Sequence, residues 1–170
     1  TLRYDLLTHV AHFSVGANSN GTLSNSQNWP WTTQINAAHQ AGVKVILTVT
    51  QFTPSSTLTL ITTPSYKNAF FTNIKNLMVS GKADGLNIDF EGSGSYTSYI
   101  NQFMADLTSY LHAQIPGCEV TFAGPVINWG GWDLTGLANS CDGIFIMGYA
   151  FYGSWSTTSG PNSPLTGGTY

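Results

Sequence analysis

Asp89 and Glu91 stand two residues apart at the end of the run Asp84-Gly85-Leu86-Asn87-Ile88-Asp89-Phe90-Glu91. In an extended strand alternate side chains share a face. Asn87, Asp89 and Glu91 therefore lie on one side, and Leu86, Ile88 and Phe90 on the other. Carboxylates at that spacing are about 7 Å apart along one face, close enough for repulsion to raise the pKa of at least one of them. A carboxyl that stays protonated near neutral pH can protonate a leaving oxygen. The same pair can equally form a buried hydrogen-bond network or cap nearby backbone, and the strand by itself does not choose.

Few other residues offer chemistry. His9 and His12 fall on opposite faces of one extended run with no third ligand at metal-site spacing, so no metal is expected. His39 and His112 fall in helical segments and read as surface residues. No G-x-S-x-G elbow accompanies the serines. Trp129 and Trp132 flank Gly130-Gly131; indole faces stack on apolar sugar faces, and paired glycines allow close approach. Ordinary packing explains them as well. Trp155 has weaker support as a platform, and Trp29 and Trp31, around Pro30, read as packing residues.

The elements that must hold these residues alternate. Five strand-like runs, His9–Val15, Val43–Thr50, Asp84–Glu91, Glu119–Gly124 and Gly143–Ala150, are separated by helical periodicity. One helix is expected from a cap at Ser65, with Phe70, Phe71, Ile74, Leu77 and Met78 on a face; another places Ile100, Phe103, Met104, Leu107 and Leu111 together. Shorter helices are expected from Thr32 to Ala41, stopped by Gly42, and over Leu134–Ser140. Strand alternating with helix predicts an α/β fold with parallel strands, closed as a barrel or open and doubly wound. The absence of G-x-G-x-x-G and of a P-loop argues against a nucleotide-binding open sheet.

A (β/α)8 barrel needs about 250 residues, and 170 residues supply about five units. The expectation is an incomplete barrel, with Ser154–Tyr170 a long loop and the whole chain a processed or excised segment, since it opens at Thr1 close to a strand without a signal peptide. Charged residues make up only 8 % of the chain against a usual ~25 %. A surface of hydroxyls, amides and aromatics suits an uncharged, hydroxyl-rich ligand such as a glycan, and equally a secreted protein of low charge. The net charge of −3 and the lack of a basic stripe argue against nucleic acid. No apolar run approaches the ~18 residues of a membrane span. Asn20-Gly21-Thr22 fits a glycosylation sequon.

The carboxylate strand resembles the signature D-G-x-D-x-D-x-E of the family-18 glycoside hydrolases, through Asp84, Gly85, Asp89 and Glu91, with Asn87 where the family usually has Asp. Leu7–Val10, Phe13-Ser14 and Gly21–Leu23 resemble the family's second strand and the turn after it. Lys44–Thr48 falls at its third strand. Trp132–Leu134, Leu137, Cys141-Asp142 and Met147-Gly148-Tyr149 resemble the approach to its sixth strand and the M-x-Y motif. The resemblance implies a (β/α)8 TIM barrel, represented here by strands two to six, with residues 1–170 a partial catalytic domain and 153–170 a loop-like tail.

It also implies roles. Glu91 would be the general acid and then the base on water, and the substrate's 2-acetamido oxygen the nucleophile, an exception to the two-carboxylate scheme. Asp89 would orient and stabilise the acetamido group, and Tyr149 would hydrogen-bond it. Asn87, Met147, Trp129, Trp132 and Phe13 are the expected substrate-binding residues, with Met147 and Tyr149 both facing inward. The implied substrate is a β-1,4-linked N-acetylglucosamine glycan such as chitin, acted on by a secreted enzyme without metal or cofactor. Ala150, where the family commonly has Asp, is the best argument for the alternative, a non-catalytic chitin-binding lectin. Cys118 and Cys141 each precede a strand, and those strands would be barrel neighbours, so a structural disulfide at the bottom face is expected.

Overall fold

The computed structural model describes residues 2–24, 26–92, 95–126, 128 and 131–166. Their strands are β1 (His9–Ala17), β2 (Leu23–Ser24), β3 (Lys44–Gln51), β4 (Gly85–Phe90), β5 (Glu119–Pro125) and β6 (Gly143–Met147). The helices are α1 (Thr32–Gln40), α2 (Pro54–Thr62), α3 (Pro64–Gly81), α4 (Ile100–Gln114) and α5 (Leu134–Ser140). Single 3-10 turns occupy Tyr4–Leu6 and Ser95–Ser98. The sheet runs β2-β1-β3-β4-β5-β6. Its five long strands are parallel, in chain order, while β2 folds back antiparallel on Gly16 and Ala17. A doubly wound sheet reverses its strand order part-way across. This one never does, so the winding is that of a barrel.

The sequence accounts for most elements. β3 is a run of branched residues buried on both faces, as a parallel barrel strand requires. In β4 Leu86, Ile88 and Phe90 are buried against the helices. There Phe90 meets Phe70 at 6.3 Å and Phe103 at 5.9 Å between ring centroids. The expected faces of α3 and α4 supply that layer, with Phe70, Phe71, Ile74 and Met78 from one and Ile100, Phe103, Met104, Leu107 and Leu111 from the other. Gly42, at φ 73°, ends α1, and the Val43 N–H reaches back to the Ala38 carbonyl.

Four expectations need correction. The α3 helix begins at Pro64 with Thr63 at its N-cap and no side-chain bond there, so Ser65 lies inside the first turn. The α2 helix was not expected in Pro-Ser-Ser-Thr-Leu-Thr-Leu-Ile-Thr. Its threonines turn their hydroxyls back on the preceding helical turn, Thr59 to the Ser55 carbonyl (2.9 Å) and Thr62 to Leu58 (2.6 Å), while Leu60 and Ile61 enter the core. The last strand stops at Met147 rather than Ala150. The Gly148 and Tyr149 N–H groups turn back to Ile146 and Met147, and Ala150 has a left-handed φ of 61°. The two cysteines are free thiols. The Cys141 thiol donates to the Leu137 carbonyl at 3.2 Å instead of meeting Cys118.

Carboxylates pair off at the N-terminal ends of the strands. Asp84 takes the Val45 N–H (2.7 Å) and His39 Nε2 (2.8 Å); Asp142 takes the Val120 N–H (2.7 Å) and His112 Nε2 (2.9 Å). Each clasp joins a helix to the strand that follows it and to the start of the next. His39 and His112 are thus tied down rather than idle surface residues. On the inner face Glu119 meets Lys44 and His9, the latter at 2.9 Å. No helix among the described residues is long and apolar enough to cross a membrane.

Candidate active site

At the opposite end of β4 the carboxylates make no ion pair with a cation among the described residues. Asp89 pairs in register with Thr50 of β3 and is only 4 % exposed. Its Oδ1 is buried without a hydrogen-bond partner among the described residues. Burial first, and the charge of Glu91 second, push its carboxyl up from 3.8 to about 6. The expected perturbation therefore falls on Asp89.

Glu91 follows the last residue of β4. It is exposed, and its N–H donates to the Gln51 carbonyl at 3.0 Å. The Tyr149 phenol is half-exposed beyond β6. Burial and then the charges of Asp89 and Glu91 raise its pKa. Tyr149 lies in the turn after β6, so strand alternation does not set its direction.

Asn87 is buried below Asp89, but its Oδ1 accepts from Thr121 Oγ1 of β5 at 2.9 Å. The amide is thus anchored sideways. On the inner face below it a cavity of about 370 Å³ is lined by residues including His9, Ile46, Asn87, Glu119, Thr121 and Phe145.

The remaining expected contacts divide. Phe13 on β1 is 62 % exposed, and Met147 ends β6 half-buried. Trp132 is 9 % exposed and packs on Tyr96 and Phe122 at 5.4 and 5.3 Å, a core position where a sugar platform was expected. Trp129 lies outside the described residues. Trp155 is 65 % exposed. Two residues of this strand's surroundings carry no signal in the sequence, Thr121 beside Asn87 and Tyr96 beside Glu91. Tyr96 is fully buried, and its hydroxyl contacts the Phe90 and Gly92 carbonyls on either side of Glu91. A Tyr six residues past a strand carries no local signal of such a contact. No three His, Cys, Asp or Glu side chains converge as a metal site among the described residues.

The model of glycosyl hydrolases family 18 matches residues 1–169. The chain belongs to that family. A chitinase-like effector of Moniliophthora roreri is 27 % identical over 93 % of this chain and 43 % of its own length. Human di-N-acetylchitobiase is 28 % identical over 66 % of this chain and 30 % of its own length. The spore cortex-lytic enzyme SleL of Bacillus cereus superposes with a TM-score of 0.81 at 21 % identity, covering 95 % of this chain and 38 % of SleL. The chain thus spans less than half of each of these proteins, and the fold they share with it is the expected barrel, present here in part.

Proposed function

We propose that this family-18 chain hydrolyses β-1,4-linked N-acetylglucosamine glycans, chitin or its oligomers among them, with Glu91 as the general acid and base. The observation that carries the reading is the pairing of unlike carboxyls at one strand end. Asp89 is buried with an oxygen left unpartnered, and Glu91 two residues on is open to solvent. Two carboxyls whose environments differ in this way are suited to different tasks.

In the mechanism, the Glu91 carboxyl gives its proton to the glycosidic oxygen as the bond to C1 breaks. The substrate's acetamido oxygen closes on C1 from the other face, and the ring so formed carries positive charge. Asp89 faces that charge and accepts from the acetamido N–H with its free Oδ1, while the Tyr149 hydroxyl holds the group from the side. The Glu91 carboxylate then takes a proton from water as water opens the ring, which restores the acid. Asn87 cannot exchange a proton with Asp89, so Asp89 must ionise without a proton-sharing neighbour. Residues 1–170 act in this proposal as part of a catalytic domain, with 153–170 as a loop and Phe13 and Met147 lining the sugar site, and the enzyme works outside the cell.

The second reading is a glycan-binding protein without turnover. Ala150 favours it, since its methyl offers no polar contact where the family commonly has Asp, and one relative is named a chitinase-like effector. Comparing the protein with Glu91→Gln on a chromogenic N-acetylglucosamine oligomer separates the two. Turnover lost in the variant supports hydrolysis; equal, negligible turnover with retained binding to chitin supports the lectin.

A further inference from the structure

Glu91 stands where the sheet no longer fixes it. The pairing of β4 with β5 ends at Ile88–Phe122, and among the described residues Glu91 keeps a backbone bond only on its β3 side, to Gln51. The next residue, Gly92, turns away at φ 85°. A side chain there would be strained by that φ and would meet the Pro54 ring at 2.9 Å. An acid must be held close to its target, because a displacement of 1 Å costs about a hundredfold in rate.

Tyr96 supplies the missing restraint. Its hydroxyl lies 3.1 Å from the Phe90 carbonyl and 2.6 Å from the Gly92 carbonyl, so one buried proton is shared between carbonyls of the residues on either side of Glu91. The ring is itself braced edge-on against Trp132, at 5.4 Å and 69°. The Asn128 amide grips the Trp132 backbone in both directions, Nδ2 to its carbonyl at 2.6 Å and Oδ1 from its N–H at 2.9 Å. The brace therefore runs from the segment after β5 through two aromatic rings to the backbone of the acid. A Phe would fill the same space, so packing alone does not call for the hydroxyl. Burial and the charges of Glu91 and Asp89 push the phenol far above its ordinary pKa, and it remains a donor at any working pH.

We infer that Tyr96 is a positioning residue that holds the backbone of Glu91 in register with the substrate site. The inference rests on the reading of Glu91 as the acid, and its test separates the two. Tyr96→Phe keeps the ring and removes the donor. The variant is expected to lose about tenfold or more in kcat on a chromogenic N-acetylglucosamine oligomer with KM within twofold. Exchange of the Glu91 amide hydrogen should rise about tenfold while exchange in α4 and β3 stays as in the parent.

Unchanged exchange at Glu91 overturns the inference. So does a rise spread evenly through α4 and β3, which marks Tyr96 as ordinary core, and so does a local rise with kcat unaltered in an active protein. If the parent shows no turnover and matches Glu91→Gln, the enzymatic reading fails. A local rise then still supports Tyr96 as the holder of Glu91, and its absence still refutes it.

Discussion

Asp89→Asn exchanges a carboxyl that the fold buries for an amide of the same shape that never ionises. In the folded protein the Asp89 carboxyl is lifted from 3.8 to about 6. A group raised in this way contributes stability that is fully present below its unfolded pKa and is lost as pH rises through its folded pKa. Between pH 4 and pH 8 the parent should therefore lose about 2.4 kcal/mol through this one side chain, part of the loss having already occurred at pH 4. The paired carboxylates Glu119 and Asp106 are held below their ordinary values and act in the opposite direction. They are common to both proteins and cancel in the difference. The amide needs partners of its own, and leaving it unsatisfied costs about 1–3 kcal/mol at either pH. The quantity to read is thus the change in the parent–variant difference between the two pH values. Urea unfolding of both proteins at pH 4 and pH 8 supplies it. The variant should gain about 2.4 kcal/mol relative to the parent on going from pH 4 to pH 8, whatever its offset. A difference constant to within about 0.5 kcal/mol would falsify the claim that Asp89 is buried and charged above pH 6.

Two further substitutions probe the surroundings. Trp132→Ala removes a ring wedged between Tyr96 and Phe122 and should cost about 3–5 kcal/mol in urea unfolding; a loss of under 1 kcal/mol would return Trp132 to the surface as a free sugar platform. Ala150 sits at φ 61°, a conformation that costs an ordinary residue about 1–2 kcal/mol and that Asn tolerates better. Ala150→Asn should therefore raise the unfolding free energy by up to about 1 kcal/mol, and a destabilised variant would contradict the left-handed turn after β6.

The fold was legible wherever a local pattern decides it. The alternation in Asp84–Glu91 set Leu86, Ile88 and Phe90 on one face and Asn87 and Asp89 on the other, and the structure packs the first set against the helices. The helical faces of α3 and α4 were equally plain, because their apolar residues recur every three or four positions. What escaped depends on contacts distant in sequence. The Ser and Thr of α2 favour loops in isolation, and only the packing of Leu60 and Ile61 makes them helical. Nothing in Met147-Gly148-Tyr149-Ala150 announces that the left-handed residue is Ala150 rather than Gly148.

The site divides in the same way. Asp89 and Glu91 can be picked out from spacing, but which of them is buried depends on where β4 ends. Trp132 could have been platform or core until Tyr96 and Phe122 were found against it. The clasps of His39 and His112 join residues 45 and 30 positions apart, beyond the reach of any periodicity. Cys118 and Cys141 precede neighbouring strands as expected, yet strand placement does not fix the direction of a thiol.

The central claim concerns the use of Glu91, and turnover by the parent protein and by Glu91→Gln tests it most directly. The substitution keeps the size and polarity of the side chain and removes its transferable proton. On a chromogenic N-acetylglucosamine oligomer the account predicts measurable turnover by the parent and a fall in kcat of about 10²–10⁴-fold in the variant, with binding of the oligomer retained. A variant as active as its parent would contradict the assignment of Glu91 as proton donor, and negligible turnover by both would contradict the enzyme.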